Sequence, residues 1–209
     1  DDLFTAIEAH GSDLAREAGQ VLQDWDRKAD NQSQGTVLFY NWAMGMNPYS
    51  AAGFETKWDE ENPVSTPDGL ADPKAAVELL ESVADQMMEQ YGQLDIAWGE
   101  VNRIKYNGHD LPANGAAGAV GVFRVAGAGR ANEGVQSVRH GDSWVGVIEF
   151  GETPRAKVLL SYGNSSQPGS PNFGDQLQMF SEKRLRDAWR TEDEFMPHVV
   201  RTDEWVTNE

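Results

Sequence analysis

The stretch "SYGNSSQPGSPNFGDQLQMFSEKRLRDAWRT", residues 161–191, decides how this chain is read. It follows an apolar run, "AKVLLSY" (156–162), and its first half is crowded with Ser, Gly, Pro and Asn. A tight loop after a strand is where many hydrolases expose a nucleophilic serine. The nucleophile elbow needs G-x-S-x-G, because its strained turn tolerates only small flanks. Around Ser165 the order is Gly163-Asn164-Ser165-Ser166-Gln167, and Gln167 breaks the pattern. Ser166, flanked two residues away by Asn164 and Pro168, fits less well. The loop serines, Ser170 among them, are therefore read as hydroxyls that satisfy nearby backbone groups.

Outward from this loop, "SWVGVIEF" (143–150) and "AKVLLSY" are β-branched and aromatic runs joined by "GETPR", short enough for an antiparallel hairpin. "VGVFRVA" (120–126) reads as a further strand and Gly127–Gly134 as a flexible link. After the loop, "FGDQLQMFSEKRLRDAW" (173–189) has helical spacing through Leu177, Phe180 and Leu185. "TEDEF" then offers a capping box, Thr191 with Glu194, for a short last helix.

The N-terminal part is helical in pattern. "LFTAIEAHGSDLAREAGQVLQDW" (3–25) keeps apolar residues three and four apart, which predicts one amphipathic helix. "GTVLFYNWAMGM" (35–46) reads as a buried helix, with a strand as the alternative. Residues 47–72 hold three prolines and many turn formers and read as loop. The clearest helix follows, capped by Asp72, opened by Pro73 and stopped by Gly92. The expectation is an α+β fold: residues 1–92 mainly helical, residues 93–209 strands with short terminal helices, and one small antiparallel sheet.

The formal charge of −17 argues against nucleic acid as a partner, since phosphate binding needs a basic face. The most basic run, "SEKRLRDAWR", still contains two acids, Glu182 and Asp187. With no cysteine, thiol nucleophiles, thiolate zinc sites and disulfide scaffolds are excluded. No apolar run approaches the ~18 residues of a membrane span. The chain opens "DDLFTAIEAH", without Met or a signal-peptide pattern, which suggests a processed or cut-out piece.

No catalytic set emerges from the remaining residues. "HGDSW" (140–144) is similar to the Gly-Asp-Ser of some esterases, but Ser143 opens a strand and bulky Trp144 follows it. His10 sits in a helix near a Gly, His109 in a polar loop, His140 at a strand entry and His198 in the terminal helix; none has metal-ligand spacing with another. Carboxylate pairs such as Asp24/Asp26 and Glu60/Glu61 read as solvated faces. A nucleophile, base and oxyanion donors are not found together.

The same 161–191 stretch resembles the C-terminal signature of the penicillin amidase family: a strand, Gly-x-Ser-x-x-Pro-x-Ser-Pro, then Asp-Gln-Leu and a basic Leu-Arg-x-x-Trp run. "VLQDWDRKADNQSQGTVLFYNW", "AWGEVNRI", "DLPANG" and "GDSWVGVIEFG" resemble further segments of that family, in register over nearly the whole chain. The likeness leans toward its members acting on long-chain amides, the acyl-homoserine-lactone and aculeacin A acylases. Asn172 departs from the pattern, standing where many members of the family have His after Ser-Pro, at a position read as structural.

The resemblance implies an αββα sandwich in which a Ser at the N-terminus of the β chain attacks an amide, its own α-amine acting as base. Residue 1 is Asp, so by this likeness the chain is the C-terminal part of a β subunit, inert alone, with no catalytic residue of its own. Asn164, Ser165 and Gln167 are then candidates for hydrogen bonding just behind the catalytic centre. Gly163, Pro168, Ser170 and Pro171 would fix the loop's path, and Asp175 and Gln176 would tie the next helix to it. No cofactor or metal is expected here, and a family calcium site would lie outside the chain. Implied partners are the remainder of the β subunit, the α subunit and a small acyl-amide substrate, in the periplasm or outside the cell. Cut strands would leave edges that invite self-association. The alternatives are an autonomous binding domain and a self-contained serine esterase.

Overall fold

The computed structural model describes residues 1–129 and 132–205. The chain divides into two compact units, Asp1–Asp142 and the part from Ser143 onward. The α+β expectation holds.

In the first unit, four helices build the core: α1 (Asp2–His10), α2 (Asp13–Asp24), α3 (Thr36–Gly45) and α4 (Pro73–Tyr91). The first two replace the single helix expected over 3–25. Gly11 takes an extended conformation (ψ 142°), and Ser12 starts a new helix by accepting a hydrogen bond from the Ala15 N–H. The apolar period runs through the break because both helices pack on α4. Helix α4 matches the reading: the Asp72 carboxylate accepts from the Ala75 N–H, Pro73 opens the first turn and Gly92 follows the last. The segment 47–72 is loop apart from one turn of 3-10 helix at Ala51–Gly53. Ala18, Leu38, Val77, Leu80 and Met87 are among the fully covered residues between these helices.

A short helix α5 (Trp98–Val101) leads into β1 (Asn102–Tyr106) and β2 (His109–Pro112), a hairpin turned by Asn107 and Gly108, both at positive φ (48° and 78°). That Asn-Gly turn is a strong hairpin signal, and reading 106–110 as plain loop missed it; His109 lies in a strand. With β3 (Ala126–Ala128) and β4 (Gln136–Gly141) these strands form a four-stranded sheet in the order β2-β1-β4-β3, β1 and β4 running parallel. The strand expected over 120–126 shrinks to β3, because the chain turns at Gly121 and leaves Phe123 exposed. Residues 127–128 of the expected flexible link belong to β3, 132 and 135 bridge each other, and 130–131 lie outside the described residues.

In the second unit, β5 (Trp144–Glu149) and β6 (Arg155–Leu160) form the expected hairpin in full register, and β7 (Arg186–Asp187) joins β6 antiparallel. The helix expected over 173–189 is one short turn, α6 (Leu177–Ser181), ended where Lys183 takes φ 55°. The basic stretch after it becomes β7. Helix α7 (Glu192–Phe195) has both bonds of the Thr191/Glu194 capping box. The strands thus make two small sheets, one mixed and one antiparallel, instead of one. Among the described residues no helix is long and apolar enough to cross a membrane.

Candidate functional site

The 161–177 loop is held by its own backbone. Its first turn is closed by Gly163 N–H to Leu160 O at 3.1 Å and Gly174 N–H to Tyr162 O at 2.9 Å. Further out, the Ser165 N–H reaches Asn172 O at 3.1 Å and the Ser170 N–H reaches Gln167 O at 3.1 Å. Asp175 Oδ1 accepts from the Asn164 N–H at 3.2 Å, so this carboxylate ties the two ends of the loop together. Gln176 is buried, and its Oε1 accepts from the Leu160 N–H at 2.9 Å, fastening the turn before α6 to the end of β6. Its Nε2 has no partner among the described residues. Pro168 and Pro171 stand on the exposed outer part.

The serines do loop work. Ser165 Oγ accepts from the Gln167 N–H at 3.1 Å, and Ser170 Oγ accepts from the Asn172 N–H at 3.2 Å. Both are Asx-like turns two residues long, in which the hydroxyl oxygen accepts from a backbone donor. Asn172, the departure from the family pattern, lends its N–H and C=O to these bonds. Among the described residues no hydrogen bond joins Ser143, Ser165, Ser166 or Ser170 to a histidine. In this unit His198 stacks on Trp189, ring centres 3.9 Å apart and planes 3° apart. In the first unit His140 lies over Gly127, where a Cβ would come within 2.2 Å of the ring.

Three of the other segments singled out in the sequence converge on one place in the first unit, while "GDSWVGVIEFG" lies mainly in β5 of the second. Trp98 of "AWGEVNRI" is buried, and its indole N–H donates to Gly115 O of "DLPANG" at 2.7 Å. Asn114 Oδ1 of the latter accepts from the Asn31 N–H at 2.9 Å, and the Gly99 N–H reaches Asn31 O at 2.8 Å. Arg103 clamps Asp110 through Nε at 2.7 Å and Gly99 O through a terminal nitrogen at 2.9 Å. Asp26, read as a solvated carboxylate, is exposed and also closes its turn: Oδ1 accepts from the Lys28 N–H and the Ser33 hydroxyl, each at 3.0 Å. Tyr40 packs on Trp98 at 5.2 Å, and burial, with a smaller push from Tyr49, raises its phenol above the ordinary value. These contacts knit α3, α5 and the first hairpin into one body. Their chemistry is structural.

Sequence reasoning missed a cleft in the same unit. Two adjoining cavities, of about 500 and 420 Å³, share a wall made by Phe39, Trp42, Phe54, Leu70 and Val120. Trp25 and Trp42 pack against Phe39 in tilted arrangements, ring centres 4.8 and 6.1 Å apart. Their indole N–H groups turn inward, Trp25 to Lys28 O and Thr36 Oγ1 and Trp42 to Ala76 O. The signal was present in "LFYNW", where helical spacing cannot send every aromatic ring to the core.

The geometry thus offers a braced serine loop without a base, a structural knot and an apolar cleft. Against known proteins, the model of the family described as penicillin amidase matches residues 2–196. The chain belongs to the penicillin amidase family. Its similarity to other penicillin amidase relatives includes the acyl-homoserine lactone acylase PvdQ of Pseudomonas syringae pv. tomato, 31% identical over 182 residues, 83% of this chain and 23% of that protein. The PvdQ of Pseudomonas syringae pv. syringae is 29% identical over 192 residues, 88% of this chain and 25% of the relative. The aculeacin-A acylase of Actinoplanes utahensis is 26% identical over 172 residues, 78% of this chain and 20% of the relative. The chain therefore spans a quarter or less of the length of these curated relatives. The family resemblance read from 161–191 and the segments before it is correct.

Proposed function

We propose that this chain is the C-terminal part of the β subunit of an acylase that hydrolyses an amide bond, with the nucleophile on polypeptide outside residues 1–209. The substrate classes that fit are N-acyl homoserine lactones, lipopeptides and β-lactam side chains; the names of its relatives specify acyl-homoserine lactone and aculeacin-A. In this reading the attacking group is a Ser freed at the start of the β chain, whose α-amine takes the proton. The present chain supplies sheet and loop behind that centre. Asn164, Ser165 and Gln167 stand closest to it, and Gly163, Pro168, Ser170, Pro171, Asp175 and Gln176 hold the loop's shape. Alone, the chain is inert. The intact enzyme works in the periplasm or outside the cell, and any calcium it binds is held elsewhere.

One observation carries this: a family match over residues 2–196 in a chain whose loop hydroxyls of Ser165 and Ser170 accept from backbone N–H groups, with no hydrogen bond to a histidine among the described residues. N-terminal sequencing of the purified intact protein tests it. The subunit containing Asp1–Glu209 is expected to begin with Ser, well upstream of Asp1. A mature subunit beginning with any residue unable to act as nucleophile would sink the proposal.

A further inference from the structure

The cleft of the first unit is open and apolar among the described residues. Its central wall of Phe39, Trp42, Phe54, Leu70 and Val120 presents ring faces and aliphatic carbons to both cavities. The two indole donors behind it are already used, so a small polar head group finds no donor on that wall. An open apolar surface of this size marks a contact site. The rim of the larger cavity carries Asp1, Asp2 and Asp68 against one Arg27. Three acids to one base disfavour an acidic occupant and favour a neutral or basic one. They also oppose a second copy of this chain, which carries the same −17.

We infer that an apolar stretch of the acylase polypeptide outside residues 1–209, flanked by neutral or basic residues, docks in this cleft in the intact protein. The inference rests on the proposed function. Three quarters or more of the length of the relatives lies outside the part this chain matches, so the parent supplies ample chain for the purpose. Apolar side chains would enter the two lobes on either side of the shared wall, and the acidic rim would hold the flanks.

The absence of cysteine in this chain makes the test direct. Ala119→Cys and Val120→Cys place a thiol in the cleft wall, and Val64→Cys places one on the fully exposed loop. Each is made in the 209-residue chain and in the full-length acylase, labelled with a maleimide under native conditions and located by peptide mapping. The cleft thiols are expected to label slower in the full-length protein by roughly 100-fold or more, while Val64→Cys labels alike in both. Equal rates at the cleft in both proteins would overturn the inference. So would protection in the short chain that grows with its concentration, which means a second copy, and protection in the full-length protein only after an N-acyl amide is added, which means a small ligand. If no longer polypeptide carries this segment, the proposed function falls as well; an open cleft inside the longer polypeptide defeats this inference alone.

Discussion

Gly163 sits where β6 turns into the serine loop, at φ +100°, and a Cβ there would meet Asp175 Oδ1 at 2.4 Å and Asn172 O at 2.6 Å. One of those neighbours is backbone and the other is already bonded to the Asn164 N–H, so neither yields cheaply. Gly163→Ala is expected to destabilise the second unit by about 1–3 kcal/mol, the usual cost of a strained backbone position. Urea unfolding followed by Trp fluorescence measures it, and an unchanged midpoint would show that the loop relaxes freely. At this scale the sequence carried much of the site. Gln167 alone ruled out an elbow at Ser165, and the bonds to the Gln167 and Asn172 N–H groups bear that out. The partner of Asp175 was not legible, because a carboxylate reaching back eleven residues leaves no local pattern. Asp26 is exposed, as read, but an abundance of acids hid that its hydrogen bonds also close a turn.

Elements were legible where local chemistry and burial agree. Helix α4 was read to the residue because Asp72, Pro73 and Gly92 mark it and its apolar stripe faces the core. The break at Gly11 was hidden because α1 and α2 bury the same face, so periodicity survives a change of helix. The joint is held by Glu81 of α4, whose Oε1 accepts from the Ser12 N–H at 2.9 Å. Hydrogen bonds from the Ser12 hydroxyl and then its N–H lower the Glu81 pKa from its ordinary 4.5. The ionised form is thus favoured in the folded state. Its contribution is complete above 4.5 and fades as pH falls through the lowered folded value. The carboxylate is exposed, so the effect is small, but it has a sign. Thermal melts should show wild type losing more stability than Glu81→Gln between about pH 5 and about pH 3. Parallel losses would remove Glu81 from the joint. Sheet pairing was less legible: β1 and β4 pair in parallel across more than thirty intervening residues, a choice no stretch of either strand announces.

For the whole molecule, composition spoke mainly by exclusion. A charge of −17 and the lack of cysteine removed nucleic-acid binders, thiol enzymes and disulfide scaffolds, and left amide hydrolysis to be argued from motifs. The motifs named the family, and matching residues 2–196 established it. What the sequence hid was the cleft, because half-buried aromatic rings in a helical pattern look like core until the fold shows one side of them bare. The account's central claim is that this chain belongs to an amide-cleaving enzyme whose nucleophile it does not carry. Turnover of a long-chain N-acyl homoserine lactone by the purified 209-residue chain and by the full-length protein, side by side, tests that most directly. The account predicts release of the fatty acid by the full-length protein alone; turnover by the 209-residue chain that disappears in Ser165→Ala would contradict it.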